Sequence, residues 1–276
     1  MQTPLITPFT PADLTRLNAQ FRAAQPFPHV VLDNFLDPAA AARIAAAYPT
    51  FERARELGDE FKGVNEHGKI QITDASRFPV PVQELNEALG SDAFLAALAA
   101  ITGIEGLRYD PTLAGGGIHV TGPRGRLDVH VDFNYLESQK LYRRLNLLLY
   151  LNPTWEPAWG GGVEFWNDTV TQRANCLAPV LNRCVLFETS ERSFHGVEEV
   201  RCPPGTVRQS FAVYYYTEQA PSDYRGVDHT TIFRARPDES LKRYVLMPAE
   251  RALTEVRRQG ARVRRARERL SRLVSR

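Results

Sequence analysis

Cysteine, lysine and long apolar runs are all scarce in this 276-residue chain. Its three cysteines, Cys176, Cys184 and Cys202, make no CxxC pair and no disulfide framework. That predicts reduced thiols and a cytoplasmic protein. The densest apolar stretch, residues 145–151, is seven residues long and contains Asn146, so no transmembrane helix is expected. The opening Met1-Gln2-Thr3-Pro4-Leu5 has neither the basic start nor the apolar core of an export signal. Lysine occurs only four times, and none of the four lies near Arg208 in sequence.

The remaining composition is that of a globular protein, with 43% hydrophobic and 24% charged residues. The net charge of +2 conceals an uneven distribution. Residues 251–276 hold ten arginines and two glutamates, leaving the first 250 residues at −6. The tail has helical composition and a weak apolar stripe, which predicts a basic C-terminal helix that contacts a partner or an anionic surface. It has no aromatic residue, so stacking on bases and specific nucleic-acid recognition are not expected.

Helical signals come first along the chain. Thr10-Pro11 and Asp37-Pro38 pair an N-cap with proline at the first helical position, and further helices are expected near 82–89 and 92–101. A strand is expected at 27–32, and residues 51–79 read as charged and irregular apart from a short strand at 69–73. From about residue 107 short β-rich segments alternate with turns, near 115–121, 127–132, 145–151, 162–166, 169–174, 183–188, 194–200 and 207–216. Helices followed by strands predict an α+β protein, with N-terminal helices on one face of an antiparallel jelly-roll-like core. The expected divisions are 1–104 as a helical and mixed support, 105–217 as the core, 218–248 as a loop segment and 249–276 as the basic helix.

The chemistry concentrates in His130-Val131-Asp132 and a distant His195. On a strand, residues i and i+2 face the same way, so His130 and Asp132 can hold one ion while Val131 turns into the opposite layer. A second imidazole from another strand completes a two-His-one-carboxylate face, which suits non-haem Fe(II) and leaves three positions open. Arg208 follows His195 by thirteen residues and shares a strand face with Ser210. A guanidinium there suits the distal carboxylate of 2-oxoglutarate, a keto acid able to supply the electrons that a ferrous site needs to use dioxygen.

These residues, together with residues 143–155, Gly160-Gly161-Gly162-Val163-Glu164-Phe165-Trp166 and the stretch from Ala178 to Phe187, resemble the Fe(II)/2-oxoglutarate-dependent oxygenases, in their prolyl hydroxylase-like branch. The resemblance spans about 105–217. It implies a double-stranded β-helix (cupin-like) core and iron ligation by His130, Asp132 and His195. It also implies cosubstrate binding by Arg208 and Tyr150, with Asn146 and Ser210 assisting. Fe(II), 2-oxoglutarate and O2 would be required, ascorbate would stimulate, and Asp132 makes hydroxylation rather than halogenation the default. The implied substrate is prolyl or peptidyl, an amino acid or a natural product. His119, Asn134, Tyr135, Trp166 and Arg192 are its candidate contacts. The residues alone leave two alternatives open, a β-fold binding module without turnover and a zinc or manganese isomerase.

Overall fold

The computed structural model describes residues 4–249. Capping chemistry opens the helices. Thr10 and Asp13 form a reciprocal capping box at α1 (Pro11–Ala23). Asp37 accepts from two backbone amides at the start of α2 (Pro38–Ala47), and Thr50 caps α3 (Phe51–Leu57). Pro79 precedes α4 (Val80–Leu89), and Ser91 caps α5 (Asp92–Thr102), which stops at Gly103 in the left-handed conformation.

Thirteen strands among the described residues join in one antiparallel sheet. The first three come from the N-terminal region: β1 (His29–Leu32), β2 (Asp59–Lys62) and β3 (Glu66–Ile72). Then follow β4 (Arg108–Tyr109), β5 (Gly117–Val131), β6 (Tyr135–Leu136), β7 (Leu141–Tyr150), β8 (Val163–Trp166) and β9 (Arg173–Leu177). The last four are β10 (Cys184–Glu188), β11 (His195–Val197), β12 (Arg208–Thr217) and β13 (Ile232–Arg234). The main path runs β1-β10-β7-β12-β5-β11-β8-β9. β5 carries β12 and β3 against its first half, and β11 and β13 against its end.

Period-two alternation divides the sheet into two chemistries. Leu145, Leu147 and Leu149 of β7, Phe211, Val213 and Tyr215 of β12, and Ile70 and Ile72 of β3 are buried with Leu17 and Phe21 of α1, Ile44 of α2, Val82 and Leu85 of α4, and Leu98 of α5. The alternate residues Leu148, Tyr150 and Ala212 face the other way, with Val163, Phe165 and Phe187. The result is a curled antiparallel half-barrel whose outer face is apolar and whose inner face bears the polar groups.

Several local expectations change. Residues 51–79 are largely regular: Thr50 supplies a cap that turns 51–57 into α3, and the charged β2 pairs with β3. The segments at 115–121 and 127–132 are one continuous strand, β5. The strand expected at 169–174 instead begins at Arg173, because Val170 takes a positive φ of 55° in the turn before it. Segment 218–248 is not wholly loop, since β13 pairs with the end of β5. β1 and β3 are hydrogen-bonded into the main sheet. The chain divides into two compact units, Met1–Arg234 and Ala235–Arg276. In the second, a helical turn spans Lys242–Leu246. All but the first residue of the expected basic helix lies outside the described residues.

Candidate active site

The long β5 ends at Val131, and this terminus carries His130-Val131-Asp132 into the concave face. Val131 is buried with Val129, Trp166 and Phe194 in the opposite layer. β11 pairs with β5 so that His195 stands directly across from His130, and the two rings lie 4.3 Å apart. One ligand atom from each of His130, Asp132 and His195 falls within 4.8 Å of the others. The distant histidine thus arrives by ordinary antiparallel registry.

The imidazoles are oriented by their own strands. His130 Nδ1 lies 2.8 Å from the Asp128 carbonyl, and His195 Nδ1 lies 2.9 Å from the Ser193 carbonyl. A carbonyl only accepts, so each Nδ1 donates, and in the neutral ring Nε2 is the nitrogen left with a lone pair. Both Nε2 atoms point at Asp132, each 3.6 Å from a carboxylate oxygen, beyond hydrogen-bonding distance. Burial, and then the neighbouring His130, push His195 down to about 4, so its ring is neutral near pH 7. Burial alone would raise Asp132, but Arg143 and the two histidines hold its carboxyl well below the usual range. Two imidazole nitrogens and a carboxylate thus converge on one point. That arrangement fits a divalent cation, with His130, Asp132 and His195 as the ligands.

Asp132 is fixed from behind. Arg143 Nη1 lies 3.0 Å from Oδ1, and Asn146 Nδ2 donates to Oδ2 at 3.2 Å. The Arg143 guanidinium is held between the rings of Phe133 and Tyr214, 3.6 and 3.7 Å from their centres. Asn146 is therefore committed to the acid, although its Oδ1 remains buried and unpartnered.

A pocket of about 60 Å³ adjoins the triad. Arg208 lies in it, its Nε donating to the Gly161 carbonyl at 2.7 Å and its Nη1 to Ser210 Oγ at 3.1 Å. Its guanidinium stands 5.0 Å from the centre of the Tyr150 ring. Burial pulls Arg208 below its ordinary value, with Tyr150 opposing, and raises Tyr150. No carboxylate pairs with Arg208 among the described residues.

Of the other candidate contacts, His119 lines the pocket and is 7% exposed, with Nε2 unpartnered. The rest lie elsewhere. Asn134 hydrogen-bonds Glu191 and the Val227 carbonyl. Tyr135 packs its ring on Tyr142. Trp166 belongs to the layer behind β5, and Arg192 is exposed in a turn. The reading of the sequence missed Arg143 as a site residue, and also Lys69, Thr121, Arg126 and Leu127 along the pocket wall.

Comparison with known proteins agrees with this arrangement. Residues 116–216 match the 2OG-Fe(II) oxygenase superfamily. Prolyl 3-hydroxylase OGFOD1 of Xenopus laevis is 32% identical over 94 residues, covering 33% of this chain and 18% of the relative, so the chain spans less than a fifth of the curated protein it matches. A Trichoplax adhaerens prolyl hydroxylase solved with a hypoxia-inducible-factor peptide superposes at TM-score 0.54 and 16% identity, over 75% of this chain and 92% of that one. A Pseudomonas putida prolyl-4-hydroxylase gives 0.52 at 18%, over 74% and 100%. The epimerase SnoN, solved with Fe3+, alpha-ketoglutarate and nogalamycin RO, gives 0.52 at 15%, over 83% and 96%. These likenesses establish the fold, and the likeness to the 2OG-Fe(II) oxygenase superfamily rests on the matched segment, residues 116–216.

Proposed function

We propose that this protein is an iron- and 2-oxoglutarate-dependent dioxygenase. It would hydroxylate an unactivated C–H bond of a prolyl or peptidyl, amino-acid or natural-product substrate, with release of succinate and CO2. The observation that carries this reading is the pairing of a buried, acid-free Arg208 with the converging His130–Asp132–His195 cluster in one pocket. A buried cation without a counter-charge costs several kcal/mol, on the order of the penalty for an isolated buried ion. A dicarboxylate ligand removes that cost. A binding module has no such need for both features together, and a zinc or manganese isomerase that uses no keto acid has no need of Arg208.

A ferrous ion bound with the keto acid supplies the activation of dioxygen. The protein supplies the placement. His130 and His195 offer fixed Nε2 lone pairs, and Asp132 offers an oxygen whose direction Arg143 and Asn146 set. Arg208 takes the distal carboxylate through its planar fork, with Ser210 and the Tyr150 hydroxyl beside it. Leu148, Val163 and Val197 give that space apolar walls that exclude water. The prolyl hydroxylase relatives support a prolyl or peptidyl substrate, and SnoN shows that a similar fold accommodates a natural product. Three free cysteines support a reducing, cytoplasmic setting, and no helix among the described residues is long and apolar enough to cross a membrane. The basic tail serves a partner or an anionic surface.

The test is anaerobic addition of Fe(II) and then 2-oxoglutarate to the full chain. The expected result is a visible charge-transfer band, with succinate formed once oxygen is admitted. Absence of both in well-folded protein rejects the reading.

A further inference from the structure

Arg208 has a counterpart on the opposite flank of the pocket. In β3, Ile70 and Ile72 enter the helix-side core, so Lys69 and Gln71 face the other way, and Lys69 lines the pocket. Registry makes this placement specific. Thr121 of β5 pairs with Lys69 on one side and with Arg208 on the other, which sets two cations about Thr121 with Cα atoms roughly 10 Å apart. We propose that Lys69 forms a second anion subsite in this pocket, so that the molecule oxidised is a carboxylate-bearing one. The inference rests on the assignment of Arg208 and the triad to 2-oxoglutarate.

The lysine is held for the task. Phe61 pairs with it across β2–β3, and the ammonium stands 4.7 Å from the centre of the Phe61 ring. Gly68, at φ +68°, is the extra residue of a bulge that interrupts β3 between His67 and Lys69. A Cβ on Gly68 would lie 2.7 Å from the Gly125 Cα, so the bulge needs glycine. The bulge shifts the strand's alternation and brings Glu66, three residues earlier, onto the ammonium. An ammonium carries three donors, and one carboxylate oxygen does not satisfy them all.

The space beside Lys69 also holds an unsatisfied polar atom. His119 lies one step further along the sheet, across from both Gln71 and Ser210, and its buried Nε2 has no partner. Burial, then Lys69 and Arg208, hold that ring neutral, so both cations act on the same point. The keto acid brings two carboxylates, one for Arg208 and one for the metal, and neither is left for Lys69. An acid on the second substrate would accept from the ammonium donors that Glu66 leaves open, while a neutral peptide segment would offer them no charged acceptor.

The probe is 13C-acetate, titrated into the full chain loaded with Zn(II) and N-oxalylglycine, an unreactive mimic of 2-oxoglutarate, with the acetate resonance followed. Saturable binding is expected. Lys69→Met should weaken it by about tenfold or more, and Lys69→Arg should retain it to within a few-fold. Matching thermal unfolding of the variants separates loss of the site from loss of the fold. The subsite is rejected if the loaded wild type takes up no acetate, if Lys69→Met binds as well as wild type, or if Arg126→Met removes binding that Lys69→Met leaves. Loading is measured before acetate is added. Failure to bind N-oxalylglycine overturns the underlying cosubstrate assignment, and the subsite with it.

Discussion

Arg143 and Arg208 are equally buried, at 3% exposure each, yet their surroundings differ in kind. Arg143 is enclosed by Phe133 and Tyr214 and meets Asp132 at 3.0 Å. Arg208 meets a backbone carbonyl, a hydroxyl and a tyrosine ring, with no acid. One buried cation has its counter-charge built in and acts as part of the scaffold. The other lacks one and is a receptor. Exposure alone would not distinguish them; the charge balance of the surroundings does.

Four substitutions test that contrast. Asp132→Ala should have the largest effect. It removes a metal ligand and strands Arg143, so succinate formation should vanish and denaturant unfolding should show a loss of about 3–5 kcal/mol. Arg208→Met should raise the apparent KM for 2-oxoglutarate by an amount equivalent to about 2–5 kcal/mol. Its thermal stability should be unchanged or higher, since an uncompensated charge is gone. A marked fall in Tm for Arg208→Met would erase the distinction. Arg143→Lys keeps the charge but loses the planar fork and the stack, and metal affinity measured by calorimetry should fall about 10- to 100-fold.

The smallest effect concerns pH. His119 has its proton affinity depressed in the folded state, first by burial and then by Lys69 and Arg208, against an ordinary value of 6.5. The unfolded chain therefore binds the proton more readily. The resulting stability is fully present above pH 6.5 and is lost as pH falls below it toward the folded-state value. His119→Gln should flatten that part of the stability profile of the metal-free protein, measured by urea unfolding between pH 7 and pH 5.

The helices and the triad were legible because their signals are local. Thr10, Asp37 and Ser91 announce their helices, and His-x-Asp on a strand needs only period two to put two ligands on one side. Arg208 and Ser210 follow the same rule. Arg143 breaks it. Counted back along β7, it should face the helix side with Leu145. A bulge opposite Tyr215 and Tyr216 makes Arg144 an extra residue and turns Arg143 onto the inner face with Tyr214 and Tyr216. Nothing in the order of residues marks that bulge. Lys69 was hidden for another reason: its alternation with Ile70 was readable, but its place beside Thr121 depends on pairing between strands some fifty residues apart. Asn134, Tyr135 and Arg192 lie close in sequence to the ligands, and closeness along a strand end or turn does not guarantee a shared cavity, while Trp166 turns into the layer behind β5.

Each ligand histidine is tied to a carbonyl two residues back on its own chain. The two imidazoles are therefore set as soon as β5 and β11 pair, before any ion arrives. A receptacle preset in this way discriminates poorly among divalent ions of similar size, and nickel, copper or zinc would seat in it at least as firmly as iron. Occupancy by the working metal would then be governed by which ions the cell keeps available, and protein purified on a nickel column would be expected to emerge partly poisoned.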